Sequence, residues 1–353
     1  MTEYDVDVVI PVHAATRPIR RAASSILDHN TRSVQVTVVA HNIDPQIIRD
    51  NLGEYAEHPD LQLLHLADGI HSPAGPLNHG IAESTARYFA VLGSDDEFEP
   101  GAVDSWLALA DDTDADAVLA RVRRGIQGPD PMPPARRGRT RGLDGDHDRL
   151  SYRCVPQGLV SRTRFGHLRF TPGLASGEDQ EFTAQLWFTG KHLAYDRTGP
   201  AYVLHEDGED RVTSAIRSVE EDFRFLGVIA ATDWFPALSA AQKRAWGVKN
   251  LRMHLMDAIA ARLSAPEGFG AHAPDLVRVA DEIERLSPGA TALLARCDRD
   301  VLDEIHKPSP DPERIREAFG KRWGLNADST LTRNPFLSLH RQAPFRTLRN
   351  MVA

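Results

Sequence analysis

Five short apolar runs alternate with helical segments in the first 122 residues, and this alternation limits the fold more than any other feature of the sequence. The runs are rich in β-branched and aromatic residues, whereas the segments between them carry apolar residues at helical spacing. Such alternation predicts βαβ units with right-handed crossovers and a mostly parallel sheet. The predicted strands are residues 5–12, 34–40, 61–66, 88–92 and 117–122.

An acidic turn follows the fourth predicted strand, in the stretch YFAVLGSDDEFEPG. The residues after the apolar run are Gly93, Ser94, Asp95, Asp96 and Glu97. Open α/β sheets bind ligands at the carboxyl ends of their strands, so a site is expected here. Adjacent carboxylates repel each other, and a divalent cation that bridges to phosphate oxygens would relieve the repulsion. The alternative is a solvated acidic turn that caps the next helix.

The overall composition is that of a soluble globular protein, with 41% hydrophobic and 26% charged residues among 353. The net charge of -9 argues against a nucleic-acid partner. Cys154 and Cys297 have no ligand spacing, which favours a reducing compartment. We expect no signal peptide and no membrane span, because the first residues are acidic and no apolar run approaches about 20 residues. The expected location is the cytoplasm, with at most peripheral contact at the inner face of a membrane.

Helical character begins near Ser218, which forms a capping box with Glu221. Apolar residues then recur at helical spacing. Further helix starts are predicted at Ser287-Pro288 and Ser309-Pro310. We therefore expect an α/β domain over residues 1–215 and a C-terminal helical region with a basic tail over residues 216–353.

Three further motifs accompany the acidic turn. The first strand ends in Pro11, Val12 and His13, and a helix begins after Gly177, Glu178 and Asp179. A short strand, YVLH, ends at His205. Taken separately, each motif has an ordinary explanation: acids are common in a first helical turn because of the helix dipole, and a single histidine is often structural.

In their order and spacing these motifs resemble the family 2 glycosyltransferases, over residues 5–214. That family has the GT-A fold, a Rossmann-like, mostly parallel sheet flanked by helices. The matching residues are Pro11, Val12 and His13 in the nucleotide pocket, Asn78 and Gly80 in the Arg-Asn-x-Gly segment, Ser94, Asp95 and Asp96 in the DxD stretch, Gly177 to Phe182 in the acceptor motif, and Tyr202 and His205 in the Tyr-Arg-x-His motif. Leu77, Gly93 and Val203 depart from the pattern, and His41 with Asn42 replace the usual base- and ribose-binding Asp.

The resemblance implies an inverting, metal-dependent transfer of a sugar from a nucleotide sugar, with UDP as the expected nucleotide. Mn²⁺ or Mg²⁺ would be held by Asp95, with Asp96 and His205 as further contacts. Asp179 would act as the general base on the acceptor hydroxyl, and Glu178 would orient the acceptor. The expected donor-binding residues are Pro11, Val12, His13, Asn42, Asn78, Ser94, Asp95 and Asp96. The expected pathway is synthesis of a cell-surface polysaccharide or glycopolymer.

Two other functions are compatible with parts of the pattern. One is a non-catalytic nucleotide-sugar-binding or scaffold subunit, for which the missing first acid at Gly93 would be a symptom. The other is a nucleotidyltransferase, which is disfavoured because residues 13–18 contain no glycine-rich phosphate loop.

Two arginine-rich segments interrupt this otherwise acidic chain. Residues 121–153 contain nine arginines against four aspartates, with prolines and glycines, and predict a mobile cationic loop. Residues 333–353 contain four arginines and no acid. Both segments are either solvated charge or a surface for an anionic acceptor such as a polyol-phosphate polymer, a phosphate-linked lipid carrier or a membrane.

Overall fold

The computed structural model describes residues 4–205, 217–322 and 324–351, which form two compact units. The first unit is α/β and comprises the described residues up to 132, together with 138–143 and 153–205. The second unit is mainly helical and combines residues 133–137 and 144–152 with the described residues from 217 onward. Two pieces of the arginine-rich segment therefore belong to the helical unit. The predicted boundary between residues 215 and 216 lies outside the described residues.

A seven-stranded sheet forms the centre of the α/β unit, in the strand order β10-β6-β9-β4-β1-β2-β3. Strand β9 runs antiparallel to both of its neighbours, and the other pairings are parallel. The strands of the chain are β1 Val6–Val12, β2 Val34–His41, β3 Leu61–Leu66, β4 Tyr88–Val91, β5 Glu97–Phe98, β6 Ala117–Ala120, β7 Val122–Arg124, β8 Gly128–Pro129, β9 Gly158–Ser161, β10 Leu193–Asp196 and β11 Tyr202–Leu204. The predicted α/β class and mostly parallel sheet are confirmed.

Helices connect the strands of this sheet, and they lie against it because their apolar faces pack on the sheet. The helices of this unit are α1 Ile19–Leu27, α2 Pro45–Leu52, α3 Ala74–Glu83, α4 Ala102–Thr113, α5 Arg162–Phe165 and α6 Gln180–Thr189. Helix α3 approaches β1 so closely that a Cβ on Gly80 would lie 2.4 Å from Val9 Cγ1. Glycine at this position is therefore a packing requirement of the helix–sheet contact.

A smaller sheet of four strands, in the order β5-β11-β7-β8, stands beside the acidic turn. Strand β5 begins directly after Asp96 and pairs antiparallel with β11, so that Tyr202 lies opposite Phe98. This pairing brings together the SDD and YVLH motifs, which are about 100 residues apart in the sequence.

The helical unit contains α7 Val219–Ala230, α8 Trp234–Ala237, α9 Ala240–Asn250, α10 Met256–Arg262, α11 Ala273–Leu286, α12 Arg296–Ile305, α13 Pro312–Arg322, α14 Ala327–Thr330 and α15 Pro344–Met351. The predicted capping box of Ser218 and Glu221 is present at the start of α7. A π-helical turn, Leu251–Leu255, joins α9 to α10. Among the described residues, every helix is too short or too polar to cross a lipid bilayer.

Two predicted helix starts are wrong. Ser287 ends α11, because its amide donates to the Ile283 carbonyl at 2.9 Å. The later helix begins at Pro312, where the Asp311 carboxylate accepts a hydrogen bond from the Glu313 amide at 2.9 Å. The pair Asp311-Pro312 thus starts this helix in the way predicted for Ser309-Pro310, two residues further along the chain.

The prediction of an unpacked, mobile loop over residues 121–153 is also wrong. Asp148, Arg149 and Arg153 are each less than 5% exposed. The Arg153 guanidinium donates to the carbonyls of Ala120 and Met132, and the Trp187 indole donates to the Arg153 carbonyl at 2.8 Å. Backbone carbonyl groups and buried carboxylates accept hydrogen bonds from arginines of this segment. The amino-acid composition of the segment does not reveal these partners.

Candidate active site

Four adjacent parallel strands, β4, β1, β2 and β3, place the candidate residues at one edge of the main sheet. Because parallel strands end at the same edge, the residues that follow them meet in a single crevice. The PVH sequence ends β1, His41 and Asn42 end β2, and the acidic turn follows β4.

A pocket of about 270 Å³ opens at the ends of β1 and β2 and at the start of α3. Three prolines and a valine provide flat apolar walls, and three histidines, an asparagine and a serine provide polar groups. The lining residues are Pro11, Val12, His13, His41, Asn42, His71, Ser72, Pro73 and Pro76. Of the predicted donor-binding residues, the structure gathers Pro11, Val12, His13 and Asn42 here. Apolar walls with a few convergent polar groups are typical of a small-molecule site.

Asp68 supplies a carboxylate beside this pocket, and sequence reasoning missed it. Its Oδ1 lies 2.8 Å from His41 Nε2 and 3.2 Å from Asn42 Nδ2. Asn42 holds the left-handed backbone conformation, with φ of 55°, and its Oδ1 accepts from the Gly69 amide at 2.9 Å. Partial burial opposes ionisation, but hydrogen bonds from the Ile70 amide and His41 lower the pKa of Asp68 below its usual value. An acid thus lies beside the pocket after β3, although none is present at the end of β2.

Asp96 points into the protein at the acidic turn, where it is 7% exposed. Its Oδ2 accepts from the Tyr202 hydroxyl at 2.8 Å and its Oδ1 accepts from the His205 amide at 3.0 Å. Burial raises the pKa of Asp96 to about 6, although these two hydrogen bonds act in the opposite direction. Both oxygens therefore hold β11 against the turn.

Asp95 has a different environment from its neighbour. Its carboxylate forms an ion pair with Arg17, and the Arg21 guanidinium donates to its backbone carbonyl. The Asp95 side chain is 16% exposed, whereas the Arg17 side chain is 8% exposed. Arg17 lies just before α1 and Arg21 lies in its first turn. Sequence reasoning missed both because no motif marks their partner, which is 78 and 74 residues away, respectively. They bring positive charge to the end of β4.

The three predicted metal ligands fit a divalent cation unequally. Asp95 offers a hard carboxylate oxygen at the partly exposed strand end, which suits Mg²⁺ or Mn²⁺. Asp96 is directed inward, and His205 Nε2 lies 3.1 Å from Glu97 Oε1. Metal contact by Asp96 and His205 stays a prediction.

One group of three potential metal ligands in the described part of the chain has its ligand atoms within 4.8 Å of one another. It consists of Asp144, Asp146 and His147 in the helical unit. Arg341 contacts both Asp146 and His147, so two members of this group already have a side-chain partner.

Gly93 stands where the family pattern has its first acid, and the geometry of the turn explains why no side chain is present. A Cβ at this position would lie 2.6 Å from Asp96 Oδ2 and 3.2 Å from Asp95 Oδ1. The Gly93 amide also donates to the Tyr202 hydroxyl at 3.0 Å. The inward position of Asp96 therefore requires glycine here. Ser94 beside it is buried, at 4% exposure.

Asn78 holds the loop that leads to the GED motif. Its Nδ2 donates to the Phe170 carbonyl and its Oδ1 accepts from the Phe170 amide, both at 2.8 Å. The Phe170 ring stacks on Phe182 of α6 at 4.7 Å, and Phe182 meets Phe89 of β4 edge-on. The side-chain amide of Asn78 is thus engaged with a backbone group, and its predicted contact with a donor stays a prediction.

Glu178 and Asp179 lie immediately before α6 and are half-buried. Asp179 Oδ1 accepts from the Gln180 side chain at 2.9 Å, and its backbone carbonyl accepts from the Thr183 amide at 2.9 Å. Asp179 occupies the N-cap position without a side-chain capping bond to the helix backbone. The carboxylate is accordingly not used as a cap.

Comparison with known proteins supports this description. Residues 7–168 match the family described as glycosyl transferase family 2. Structures of S. aureus TarS residues 1–349 in complex with UDP-GlcNAc and with UDP are similar, with TM-scores of 0.73 and 0.69 and 15% identity. The likeness covers 90% of this chain and 91% of the first structure, and 91% and 93% for the second.

A longer TarS structure is also similar, with a TM-score of 0.68 and 16% identity. The likeness covers 90% of this chain and 55% of the longer TarS chain. No match was found among curated proteins. The structural likeness shows a shared GT-A fold, and the family match covers the strands that build the crevice. The family match therefore places residues 7–168 in glycosyltransferase family 2 and, together with the shared fold, identifies the protein as a glycosyltransferase.

Proposed function

We propose that the protein is an inverting glycosyltransferase that transfers a sugar from a UDP-sugar to an acceptor hydroxyl. The observation that carries this proposal is the single crevice in which the proline-walled pocket of β1 and β2 opens beside the Asp95 turn of β4. A pocket for a planar base next to a carboxylate for a metal is what a nucleoside diphosphate requires. The similar TarS structures hold UDP and UDP-GlcNAc, so UDP-GlcNAc is the first donor to test.

Within this proposal the pocket binds the uracil and ribose. Pro11, Pro73 and Pro76 would pack on the base, and Asn42 with Asp68 would supply hydrogen-bond partners for the base and the ribose hydroxyls. His41 is only 4% exposed, and its contact with Asp68 would hold that carboxylate in position.

Asp95 would hold Mg²⁺ or Mn²⁺, and that cation would stabilise the charge that develops on the leaving diphosphate. Arg17 keeps the carboxylate of Asp95 paired in this structure and would gain phosphate oxygens as partners when a donor enters. Asp96 positions the turn through Tyr202 and His205.

Asp179 would accept the proton of the acceptor hydroxyl as that oxygen attacks the anomeric carbon. The bond from the acceptor oxygen to the anomeric carbon forms while the bond from that carbon to the diphosphate oxygen breaks, and UDP leaves. One base and no enzyme nucleophile give a single displacement, so the configuration inverts. Glu178 would orient the acceptor, for which we propose a hydroxyl of a glycan, glycopolymer or lipid-linked chain in the synthesis of cell-surface polysaccharide.

We also propose a cytoplasmic location. Cys154 and Cys297 are both free thiols, as is usual in a reducing compartment.

The test is a panel of UDP-sugars with Mn²⁺, in which release of UDP and transfer to acceptor are measured for the parent chain and for Asp179→Asn. The substitution preserves size and polarity but removes the proton acceptor, so transfer should fall by roughly 10²–10⁴-fold. UDP affinity and the melting temperature should stay at the parent values. Asp112→Asn, at an exposed surface acid paired with Arg141, is the matched control and should transfer at the parent rate.

Two results would contradict the proposal. An Asp179→Asn chain that binds UDP, melts like the parent and transfers sugar at the parent rate would remove the assigned base. A parent chain that binds no UDP while it binds another nucleotide would overturn the donor assignment.

A further inference from the structure

The helical unit contains a pocket of about 340 Å³ with an unusual concentration of positive charge. Its walls come from the two arginine-rich segments of the sequence, which are nearly 200 residues apart. The lining residues are Arg136, Arg137, His147, Arg149, Leu339, Arg341, Arg346, Arg349 and Asn350. Six of these nine residues are arginines, and none of these described lining residues is acidic.

Two of the six arginines are neutralised by buried carboxylates behind the wall. Arg136 forms two parallel bonds to Asp148, from Nε at 2.7 Å and from Nη2 at 2.6 Å. Arg341 Nη1 lies 2.9 Å from Asp146 Oδ2. These pairs hold the two segments in place and leave little charge for a ligand.

The other four guanidinium groups lack a carboxylate partner within the part of the chain that the structure describes. Arg137 donates to the Arg349 carbonyl at 2.7 Å, and Arg149 donates to the carbonyls of Pro134 and Arg341. The side chains of Arg346 and Arg349 are exposed and have no described hydrogen-bond partner. Four guanidinium groups that form no direct ion pair among the described residues therefore share one concavity.

Arg149 lies in an environment that is unfavourable for a charged side chain. It is only 2% exposed, its φ is 52°, and its Nε has no described partner. Burial lowers the pKa of Arg149 to about 10, because the charged form is deprived of water, and the charge of Arg252 acts in the same direction against the opposing effects of Tyr152, Asp148 and Asp146. A buried guanidinium that forms no direct ion pair, on a residue with positive φ, is a common property of binding sites, since a ligand can supply the missing partner.

We propose that this pocket binds a base-free chain that carries at least two phosphate groups, either a polyphosphate or a phosphodiester polymer. Arginine forks match phosphate oxygens in pairs, and four unneutralised guanidinium groups exceed what one phosphate can pair with. This proposal goes beyond the donor site, because it concerns a different ligand and residues of the helical unit.

Other phosphate-rich partners fit the pocket less well. Single-stranded nucleic acids are held by aromatic side chains that stack on the bases, and no Phe, Tyr or Trp is present among the described lining residues. A membrane surface is contacted by protruding basic and apolar groups, whereas these arginines line a concavity. Both partners are separate outcomes of the test.

The experiment measures binding of inorganic tripolyphosphate and of orthophosphate to the full chain by calorimetry, at moderate salt. Tripolyphosphate should bind at least about tenfold more tightly than orthophosphate, because it engages several arginines together. Arg346→Ser combined with Arg349→Ser should weaken tripolyphosphate binding by at least about tenfold and leave UDP binding unchanged. Arg333→Ser is the matched control: it removes an exposed arginine of the same segment that pairs with Asp300 and Asp303 outside the pocket.

Several outcomes would overturn the proposal. If the double variant and the Arg333→Ser control bind tripolyphosphate with equal affinity, general surface charge and not the pocket accounts for the binding. Equal affinity for orthophosphate and tripolyphosphate would reduce the ligand to a single phosphate. Tighter binding of an oligothymidylate than of tripolyphosphate would favour a nucleic acid. A membrane would be favoured by binding to vesicles of phosphatidylglycerol and phosphatidylcholine that depends on the exposed Phe336 and not on Arg349.

Discussion

The acidic turn of the α/β unit and the arginine pocket of the helical unit have the same construction with the charges reversed. In the turn, Asp95 is paired with Arg17 while the buried Asp96 receives only neutral donors. In the pocket, Arg136 is paired with Asp148 while the buried Arg149 donates only to carbonyls. Burial accordingly shifts the pKa of Asp96 up to about 6 and the pKa of Arg149 down to about 10.

The opposite charges of the two buried residues indicate which kind of ligand each region would accept. A buried acid surrounded by neutral donors favours a neighbouring cation, and a buried base surrounded by carbonyls favours a neighbouring anion. At the turn the buried Asp96 sets the framework through Tyr202 and His205, whereas in the pocket the Arg136–Asp148 ion pair does so. The following predictions test whether the division of roles within each region is correct.

The largest expected effect concerns Asp95→Ala. If Asp95 is the residue that faces the donor, sugar transfer should fall by at least about 10²-fold, and Mn²⁺ should no longer increase the thermal stability conferred by UDP. The melting temperature of the free chain should fall as well, because the substitution removes the carboxylate that pairs with Arg17, a side chain only 8% exposed. The measurement is transfer rate together with thermal shifts in UDP, with and without Mn²⁺. Turnover that equals the parent rate and resists EDTA would show that Asp95 does not have this role.

A smaller effect, on stability, is expected for Asp96→Asn. The folded pKa of about 6 exceeds the ordinary value of 3.8, so the folded chain retains a proton that the unfolded chain releases. The stability that this proton contributes is present below about pH 4 and is lost as the pH rises through 6. Asparagine does not titrate, so stability relative to the parent should increase by up to about 3 kcal/mol between pH 4 and pH 7.

Urea unfolding of both chains at several pH values measures this difference. The exposed Asp112→Asn serves as the control and should show no such trend. A stability difference between Asp96→Asn and the parent that is independent of pH would mean that Asp96 is ionised throughout, as an outward-facing acid would be.

The smallest effect is expected for Arg136→Met in the pocket framework. Its loss leaves the fully buried Asp148 carboxylate with backbone donors from Asp144 and residue 136. Because the Arg136 side chain is 37% exposed, we expect a loss of about 1–3 kcal/mol rather than the larger loss seen for fully buried pairs. Adding Asp148→Asn should recover part of it. Arg137→Met, which removes only a bond to a carbonyl, should stay within about 0.5 kcal/mol of the parent.

Much of the α/β unit could be predicted from the sequence because its information is local. Alternating apolar runs and helical segments specify the parallel sheet, and the ends of β1, β2 and β4 carry the polar residues that form the crevice. Asp68 could have been found by the same rule, because it follows the end of β3. Arg17 could not, since its partner Asp95 is defined by packing of α1 against the turn and by no spacing in the sequence.

The arginine-rich segment shows where composition fails as a guide. Nine arginines among prolines and glycines predict a mobile loop only if their partners are sought nearby. The structure supplies partners from distant residues, such as the Arg349 carbonyl, which accepts a hydrogen bond from Arg137 at 2.7 Å from 212 positions away. Neither hydrophobic periodicity nor local charge contains that information.

The long sequence separation within the arginine pocket has a consequence for the order in which the protein is built. Arg137 donates to the carbonyl of Arg349, 212 residues later, so the pocket cannot close until residue 349 has been synthesised. The parallel sheet, by contrast, joins β1 to β4 within the first 91 residues. The pocket therefore assembles after the sheet during synthesis, and binding of a polyanion there would report that translation has passed residue 349.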